Sequence, residues 1–253
     1  MRTTPHTRLR ALAPSLGRAL AWALFLSLVV APEWYRPVWE RLNDDHVDPL
    51  YHADSILHLT AAHLGLSVVA TLIAAVLSVT MAVVVTRPAL SGNRQVAETL
   101  IRLAQAVPPV VVLALVIPTL GFGTLPTIAA LGLYGLLPIF ERTVAGLEGI
   151  SEAVMESARG MGMSAWQILW RIELPLARRA IVEGVRLSLT VSIGTATLGS
   201  TVAAKSLGEL ILAGLLSNNN AYLVQGALIS GLMAMLVYDL IRTVEQHWSA
   251  SGR

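Results

Sequence analysis

The chain has 253 residues, of which 55% are hydrophobic and only 13% charged, with a formal net charge of +2. A soluble domain carries roughly 25% charged residues because its surface must face water, so the composition argues against a water-soluble enzyme and for an integral membrane protein. Cysteine is absent, which removes disulfides, thiolate chemistry and cysteine-held metal.

A helix crosses the hydrocarbon core with about 20 apolar residues, and long uncharged runs mark where that happens. Ala19 to Ala31 is a short first run, bounded by Arg18 and Pro32-Glu33. A cleaved signal peptide is the other reading of it, but no small-x-small cleavage site follows and an uncleaved helix is expected. Leu64 to Thr86 is the second span, closed by Arg87-Pro88. Leu103 to Phe140 holds no charge and is too long for one crossing. Pro118, Gly121, Gly123 and Pro126 punctuate its middle, which predicts two helices over 97–118 and 125–140. Leu187 to Ala204 is the fifth span. The sixth covers 221–241, after a shorter helix from Leu207 to Leu215 and the turn-forming Ser217-Asn218-Asn219-Asn220.

With the N-terminus inside, fifteen of the 18 lysines and arginines fall in inner segments. Only Arg36, Arg41 and Lys205 fall outside, so the positive-inside rule puts both termini in the cytoplasm. Trp34, Tyr35, Trp39 and Tyr51 then sit in the first outer segment, where interfacial aromatics are expected.

The span centres hold no Asp, Glu, Lys or Arg. Glu183, Arg186, Asp239 and Arg242 lie near inner helix ends and read as solvated or mutually paired charges. His58 and His63 open the second span and read as interfacial. A proton relay has no residues to run on, so energy is expected to enter from outside the chain, although sodium held by backbone carbonyls would leave no such trace. Gly199 to Ser206 imitates a phosphate-binding loop, but Ala204 replaces its second glycine and no strand is expected before it. Small residues recur in span five as Ser192, Ala196, Ser200 and Ala204, beside Thr195, Gly199 and Ala203. Gly226, Ser230 and Ala234 do the same in span six. Both rows predict close helix packing within the chain, at a subunit seam or along a pathway.

The longest inner segment lies between spans four and five, from Glu141 to Arg186, and long ordered loops are commonly functional. Ser151 is placed to cap a helix containing Glu152 and Glu156, which Gly160-Met161-Gly162 would break. Ser164 and Gln167 form a capping box for a second helix through Trp166, Leu169 and Trp170, which Leu174-Pro175 is expected to end. A helix–turn–helix projecting from the membrane is expected; the alternative is an amphipathic stretch anchored on the membrane face by the two tryptophans.

Glu156-Ser157-Ala158, three residues, Gly162, nine residues, then Ile172-Glu173-Leu174-Pro175 resembles the EAA loop of ATP-binding-cassette importer permeases, with Ser157 in place of the middle alanine. Ala104-Gln105-Ala106-Val107-Pro108, Ile117-Pro118-Thr119-Leu120-Gly121-Phe122-Gly123 and Leu136-Leu137-Pro138-Ile139 are similar to the osmoprotectant branch of that family, importers of glycine betaine, carnitine and choline. Ala158 to Met163 and Thr195-Ala196-Thr197-Leu198 point the same way. One departure is Val202 to Gly208, where the branch is glycine-rich and this chain has Lys205, an odd charge on a route for cations.

The resemblance implies an all-α integral membrane protein with six transmembrane helices and a type I importer permease (MetI-like) core. Residues 1–55 would be an N-terminal tail, first helix and periplasmic segment, 56–245 the five-helix core with a coupling loop at 141–180, and 246–253 a cytoplasmic tail. The protein would be no enzyme and bind no cofactor, metal or nucleic acid. Its partners would be two ATPase subunits, a second permease, identical or homologous, a solute-binding protein and the lipid bilayer of a bacterial inner membrane. Glu156, Ser157, Ala158, Gly162, Leu174 and Pro175 are the ATPase-coupling residues the resemblance implies; no substrate-pathway residue is named, although Tyr134 and Phe140 are the aromatics of span four. Rival readings are a permease for amino acids such as methionine or for small oxyanions, an ion-coupled secondary carrier, and a non-transporting membrane scaffold or sensor.

Overall fold

The computed structural model describes residues 5–43, 48–87 and 94–250; Arg2, Pro88 and Arg253 lie outside them. Among the described residues every regular element is a helix. Helix α1 (Pro5–Val30) is followed by a 3-10 turn (Pro32–Tyr35) and the short α2 (Arg36–Glu40). Next come α3 (Ile56–Val85), α4 (Arg94–Ala106), α5 (Pro109–Leu120) and α6 (Thr124–Glu148). The chain then makes an excursion through α7 (Glu152–Gly160), α8 (Ala165–Ile168) and a π-helical stretch (Leu169–Glu173) into α9 (Leu174–Thr195). A 3-10 segment (Ala196–Val202), α10 (Gly208–Ser217) and α11 (Asn220–Ala250) complete it.

Four runs are long and apolar enough to cross a bilayer unaided: Ile56–Val85, Thr124–Glu148, Ala165–Val202 and Asn220–His247. Six crossings are reached when two bent pairs are counted as one span each, Leu16–Val30 with Pro32–Glu40 at 103° and Gln95–Ala106 with Pro109–Leu120 at 94°. The expected helix over 97–118 is therefore two helices meeting nearly at right angles. Pro108 has no N–H to offer the preceding turn and holds Val107 away from helical geometry. The strongly amphipathic α4, with Gln95, Glu98 and Arg102 on it, leaves the direction of α5 at that point.

Helices α3, α6 and α9 form the centre. Ala70, Ala74, Leu131, Ile139, Phe140 and Ile193 are almost completely buried there. Several polar residues share this interior, and most find a partner close by, although the buried Ser188 hydroxyl of α9 does not. Thr60 and Ser67 on α3 donate back to carbonyls one turn earlier, at 2.7 and 2.9 Å, which removes the cost of an unpaired hydroxyl in an apolar medium. Helix α1 packs on α11 through Phe25, Leu28 and Val29, and Arg18 reaches Asp239 at 2.7 Å.

The small rows of spans five and six are intramolecular seams. Ser192, Ala196, Gly199 and Ala204 are buried, and Gly226 lies against α10, where a Cβ would meet Ile211 at 2.8 Å. In span five the adjacent row of Thr195, Gly199 and Ala203 ends in an exposed Ala203, because the helix tightens to 3-10 at Ala196 and the fourfold spacing no longer keeps one face.

At the end of the bundle opposite the excursion, residues 48–50 are strapped down. Asn219 donates to the Asp48 carbonyl at 3.0 Å, Gln225 to Pro49 at 2.7 Å and Tyr222 to Leu50 at 2.9 Å. The asparagine turn thus holds an extended segment as well as reversing the chain. Of the four aromatics expected at an interface only Trp34 is fully outward. Trp39 is buried, Tyr35 bonds Ser27, and Tyr51 packs edge-on against Tyr222.

Two of the stretches singled out in the sequence meet in the fold. Pro138 inside α6 has no N–H, so the Tyr134 carbonyl one turn earlier loses its helical donor. Gln105 of α4 supplies one, Nε2 to that carbonyl at 2.6 Å. Replacing Gln105 by Leu should destabilise the folded protein by about 1 kcal/mol. Pro138→Ala restores the amide donor, so Gln105→Leu should cost measurably less in that background. Thermal unfolding in detergent across this double-mutant cycle checks it; strict additivity would remove the assignment.

Candidate functional site: a docking loop and the charge cluster opposite

The excursion begins where α6 ends at Gly149. Ser151 takes the N-cap position of α7 with extended backbone, but its hydroxyl makes no capping bond. The helix closes in a Schellman arrangement: the Gly162 N–H donates to the Arg159 carbonyl at 2.9 Å and the Met163 N–H to Ala158 at 3.2 Å. Gly162 stands at φ +75°, the left-handed region that glycine occupies without steric cost. Nothing lies within 4 Å of where its Cβ would be, so only backbone conformation restricts this position. Gly160 remains helical.

The capping box starting α8 is formed as expected. Ser164 Oγ accepts from the Gln167 amide at 3.3 Å and the Gln167 side chain accepts from the Ser164 amide at 2.8 Å. The second helix does not end at Leu174-Pro175. It widens to a π turn over Leu169–Glu173 and continues as α9, so that 165–202 is one long run. A π turn shifts hydrogen bonding from i−4 to i−5, as in the Leu174 amide donating to Leu169. That shift absorbs the missing N–H of Pro175, which sits in the first turn of α9 where its N–H is not needed.

The structure brings Glu156, Ser157, Ala158 and Gly162 together on and just after α7, with Leu174 and Pro175 at the stem. Ala158 is buried under the helix, whereas Glu156, Ser157 and Gly162 are exposed. Ser157, the departure from the family pattern, turns its hydroxyl back to the Ala153 carbonyl at 2.7 Å. It presents little more polarity to a partner than an alanine would. The Glu156 carboxylate has no ion pair among the described residues, while neighbouring Glu152 holds Arg159 at 3.0 Å. Met161, Trp166 and Trp170 are all more than half exposed, and the two indoles pack edge-on with centroids 5.5 Å apart. An exposed apolar and aromatic patch rimmed by charge is the composition of a docking surface.

Inner-end charges read from the sequence as paired or solvated do pair across helices. Arg142 faces Glu183 at 3.5 Å and Arg186 holds Glu245 at 2.8 Å while stacking over Tyr238. Arg102 binds Glu141. Arg87 binds the buried Glu173 through both carboxylate oxygens, at 3.2 and 2.8 Å. This last pair was not legible beforehand: Arg87 read only as the end of a span and Glu173 as an unspecified motif position.

His63 corrects a second expectation. It is completely buried rather than interfacial. Its Nε2 donates to the Ile193 carbonyl at 2.7 Å and its Nδ1 accepts the Leu207 amide at 3.2 Å, so the ring joins α3, α9 and the turn before α10. His58 is exposed, as expected, and bonds Asp54 at 2.9 Å. Among the described residues no cluster of three or more His, Asp or Glu could hold a metal ion. Phe140 is core, and Tyr134 packs beside Val112 and Leu113. In the stretch resembling a phosphate-binding loop, 196–202 is 3-10 helix and Lys205 is already engaged.

Lys205 does not present a free charge. Its ammonium lies 3.0 Å from Asp54 and 3.1 Å from Glu209, and Glu209 also accepts from the Tyr51 hydroxyl at 2.8 Å. Hydrogen bonds from His58 and Lys205 hold the Asp54 carboxyl down at about 2. The same contacts, Asp54 first, raise Lys205 above its ordinary value. Burial, then the bond to Glu209, pushes Tyr51 up to about 12.

A bundle of long apolar helices with one exposed aromatic-and-charged helix pair hung from it is the architecture of a membrane permease. The chain belongs to the family described as the inner membrane component of binding-protein-dependent transport systems, whose pattern matches residues 93–249. It is 32% identical over 227 residues to the osmoprotectant import permease protein OsmY of Salmonella typhimurium, covering 90% of this chain and 93% of that one. It is 31% identical to the glycine betaine/carnitine/choline permease protein OpuCB of Bacillus subtilis, over 78% and 90% of the two chains. With the carnitine permease protein OpuCB of Listeria monocytogenes the identity is 36%, over 72% and 83%. The fold is shared with the MetNI methionine transporter in an inward-facing form, with TM-score 0.68 at 18% identity over 76% of this chain and 95% of that one.

Asp54 titrates lower in the folded protein than its ordinary 3.8, so its contribution to stability is complete above that value and is lost as pH falls through about 2. The stability difference between the wild type and Asp54→Asn should therefore hold from neutral pH to about 4 and vanish between there and about 2. Unfolding midpoints measured across this range check it; a difference already gone at about pH 5 would contradict the pairing.

Proposed function

We propose that this chain is the transmembrane subunit of an ATP-driven importer of osmoprotectants of the glycine betaine, carnitine and choline class. The observation that carries the substrate class is the likeness to the Salmonella typhimurium osmoprotectant permease along nearly the whole of both chains. The mechanism rests on the excursion, whose exposed α7–α8 pair is the coupling element and takes the load of a separate ATPase. Two ATPases, a second permease and a solute-binding protein complete the importer. One chain contributes half of a pathway, and the two-fold pairing of homologous permeases closes it. Nucleotide binding draws the two ATPases together, the docked loops follow, and α6 and α9 carry the displacement into the membrane. Hydrolysis releases it.

Orientation follows from the arginine distribution, with the excursion, the start of α1 and the end of α11 on the cytoplasmic side of a bacterial inner membrane. Within this reading the core is 56–245 and the coupling segment proper is 149–173, since α6 and α9 occupy both flanks of 141–180. Against an ion-coupled carrier stands the absence of Asp, Glu, Lys and Arg from the span centres, together with the importer relatives. Against a methionine or oxyanion permease stands the kind of likeness: the methionine transporter shares fold at 18% identity, whereas osmoprotectant permeases share sequence.

Glu156 and Gly162 are the coupling residues whose replacement is most informative. Glu156→Lys inverts the exposed charge of α7. Gly162→Leu forces a branched side chain into a left-handed conformation at about 1–2 kcal/mol. Both variants should assemble with the ATPase and hydrolyse ATP, yet take up labelled glycine betaine at least about tenfold more slowly in proteoliposomes. Normal uptake by both would withdraw the coupling assignment. Failure of the wild type to transport any quaternary amine, while ATP drives uptake of another solute, would withdraw the substrate class.

A further inference from the structure

The excursion from Gly149 to Glu173 is covalently continuous with α6 at one end and α9 at the other. Its remaining side-chain polar bonds are internal: Ser157 to Ala153, Arg159 to Glu152, and Ser164 with Gln167. Among the described residues a single polar side-chain link joins it to any other helix. That link is the pair between Glu173 and Arg87, the second residue beyond the end of α3.

Its geometry is that of a rigid joint. Both guanidinium Nη atoms donate to separate oxygens of one carboxylate, and Nε donates back to the Val83 carbonyl at 3.0 Å. Every nitrogen of the guanidinium is therefore committed, and the side chain is fixed to the end of its own helix as well as to the excursion. Its positive charge also sits at the C-terminal end of α3, where the helix dipole favours it. Glu173 is 7% exposed and is the last residue of the π turn, where the run widens from α geometry before α9 begins. With Glu173 buried and the Arg87 side chain 32% exposed, the pair gives little net stability over an apolar one, because the cost of desolvation offsets much of the attraction. What it offers over an apolar contact is direction: the two groups keep one relative orientation under load.

We infer that Arg87 and Glu173 are the positioning residues that carry displacement of the docking loop into α3, so that three membrane helices move with it rather than two. The inference rests on the coupling role proposed for the excursion. When the loop is drawn aside, α6 and α9 follow through the backbone. Helix α3 follows through this pair, and the buried Val85, Phe140 and Val144 beside it keep α3 and α6 in register.

Replacing both partners with methionine removes the joint without leaving a lone buried charge, and is the informative variant. In the complete transporter reconstituted with its ATPase and binding protein, Arg87→Met with Glu173→Met should assemble and unfold at nearly the wild-type temperature. It should hydrolyse ATP, lose stimulation by the loaded binding protein and take up substrate about tenfold more slowly. The exchanged pair, Arg87→Glu with Glu173→Arg, should recover much of the stimulation, which a purely packing role would not. Wild-type uptake by the double methionine variant overturns the inference. If Glu156→Lys uncouples in the same preparation while the methionine pair does not, the joint alone is wrong and docking stands. If neither uncouples, the docking reading fails and the joint with it.

Discussion

Everything functional in this molecule hangs from the close approach of α6 and α9. At Gly184 a Cβ would lie 2.9 Å from both the Ile139 Cα and the Pro138 carbonyl. At Gly146 it would meet Ala180 at 2.7 Å, and at Gly135 the Ser188 hydroxyl at 2.6 Å. At Gly184 and Gly146 no side chain larger than hydrogen fits without moving a backbone, and at Gly135 the serine would have to turn away. In a membrane there is little hydrophobic gain in bringing helices together, so packing at such short range is what holds them. The excursion from Gly149 to Glu173 is the connection between these two helices, and their separation fixes where it emerges.

Proline sets the second constraint, through the backbone groups it leaves unpaired. In lipid a free carbonyl has no water to turn to. At Pro138 the lost donor is replaced by Gln105 from another helix, so a local defect becomes a tertiary contact. At Pro175 it is absorbed by a wider turn, and the helix continues where a break was expected. At Pro108 neither remedy is used and the chain turns by nearly a right angle. Three prolines in similar apolar surroundings thus give a cross-link, a bulge and an elbow, according to which neighbours can reach the freed group.

Charge is used at the two ends of the bundle and avoided between them. At the end bearing the excursion, arginines join helix to helix: Arg18 with Asp239, Arg87 with Glu173, Arg142 with Glu183, Arg186 with Glu245. At the other end Lys205 is neutralised by Asp54 and Glu209. A lysine that looked incompatible with a cationic cargo is thereby embedded in a cluster carrying more negative than positive charge. Charge seen in a sequence gives position along the membrane normal but says nothing about what answers it.

The division between what was legible and what was not follows from range. Hydropathy, turn residues and capping signals are local properties, so the chain alone specified an all-helical membrane protein, the second, fourth and sixth spans, the Ser164–Gln167 box and the turn at Gly162. Family likeness then marked the loop from Glu156 to Pro175. Which way a buried side chain faces depends on residues far away in sequence. The burial of His63, the Gln105 bond to Tyr134, the strap held by Asn219 and Gln225, and the union of Arg87 with Glu173 across 86 positions had no signature in spacing. Only the packed helices decided them, because each is one half of an interaction whose other half folding has to deliver.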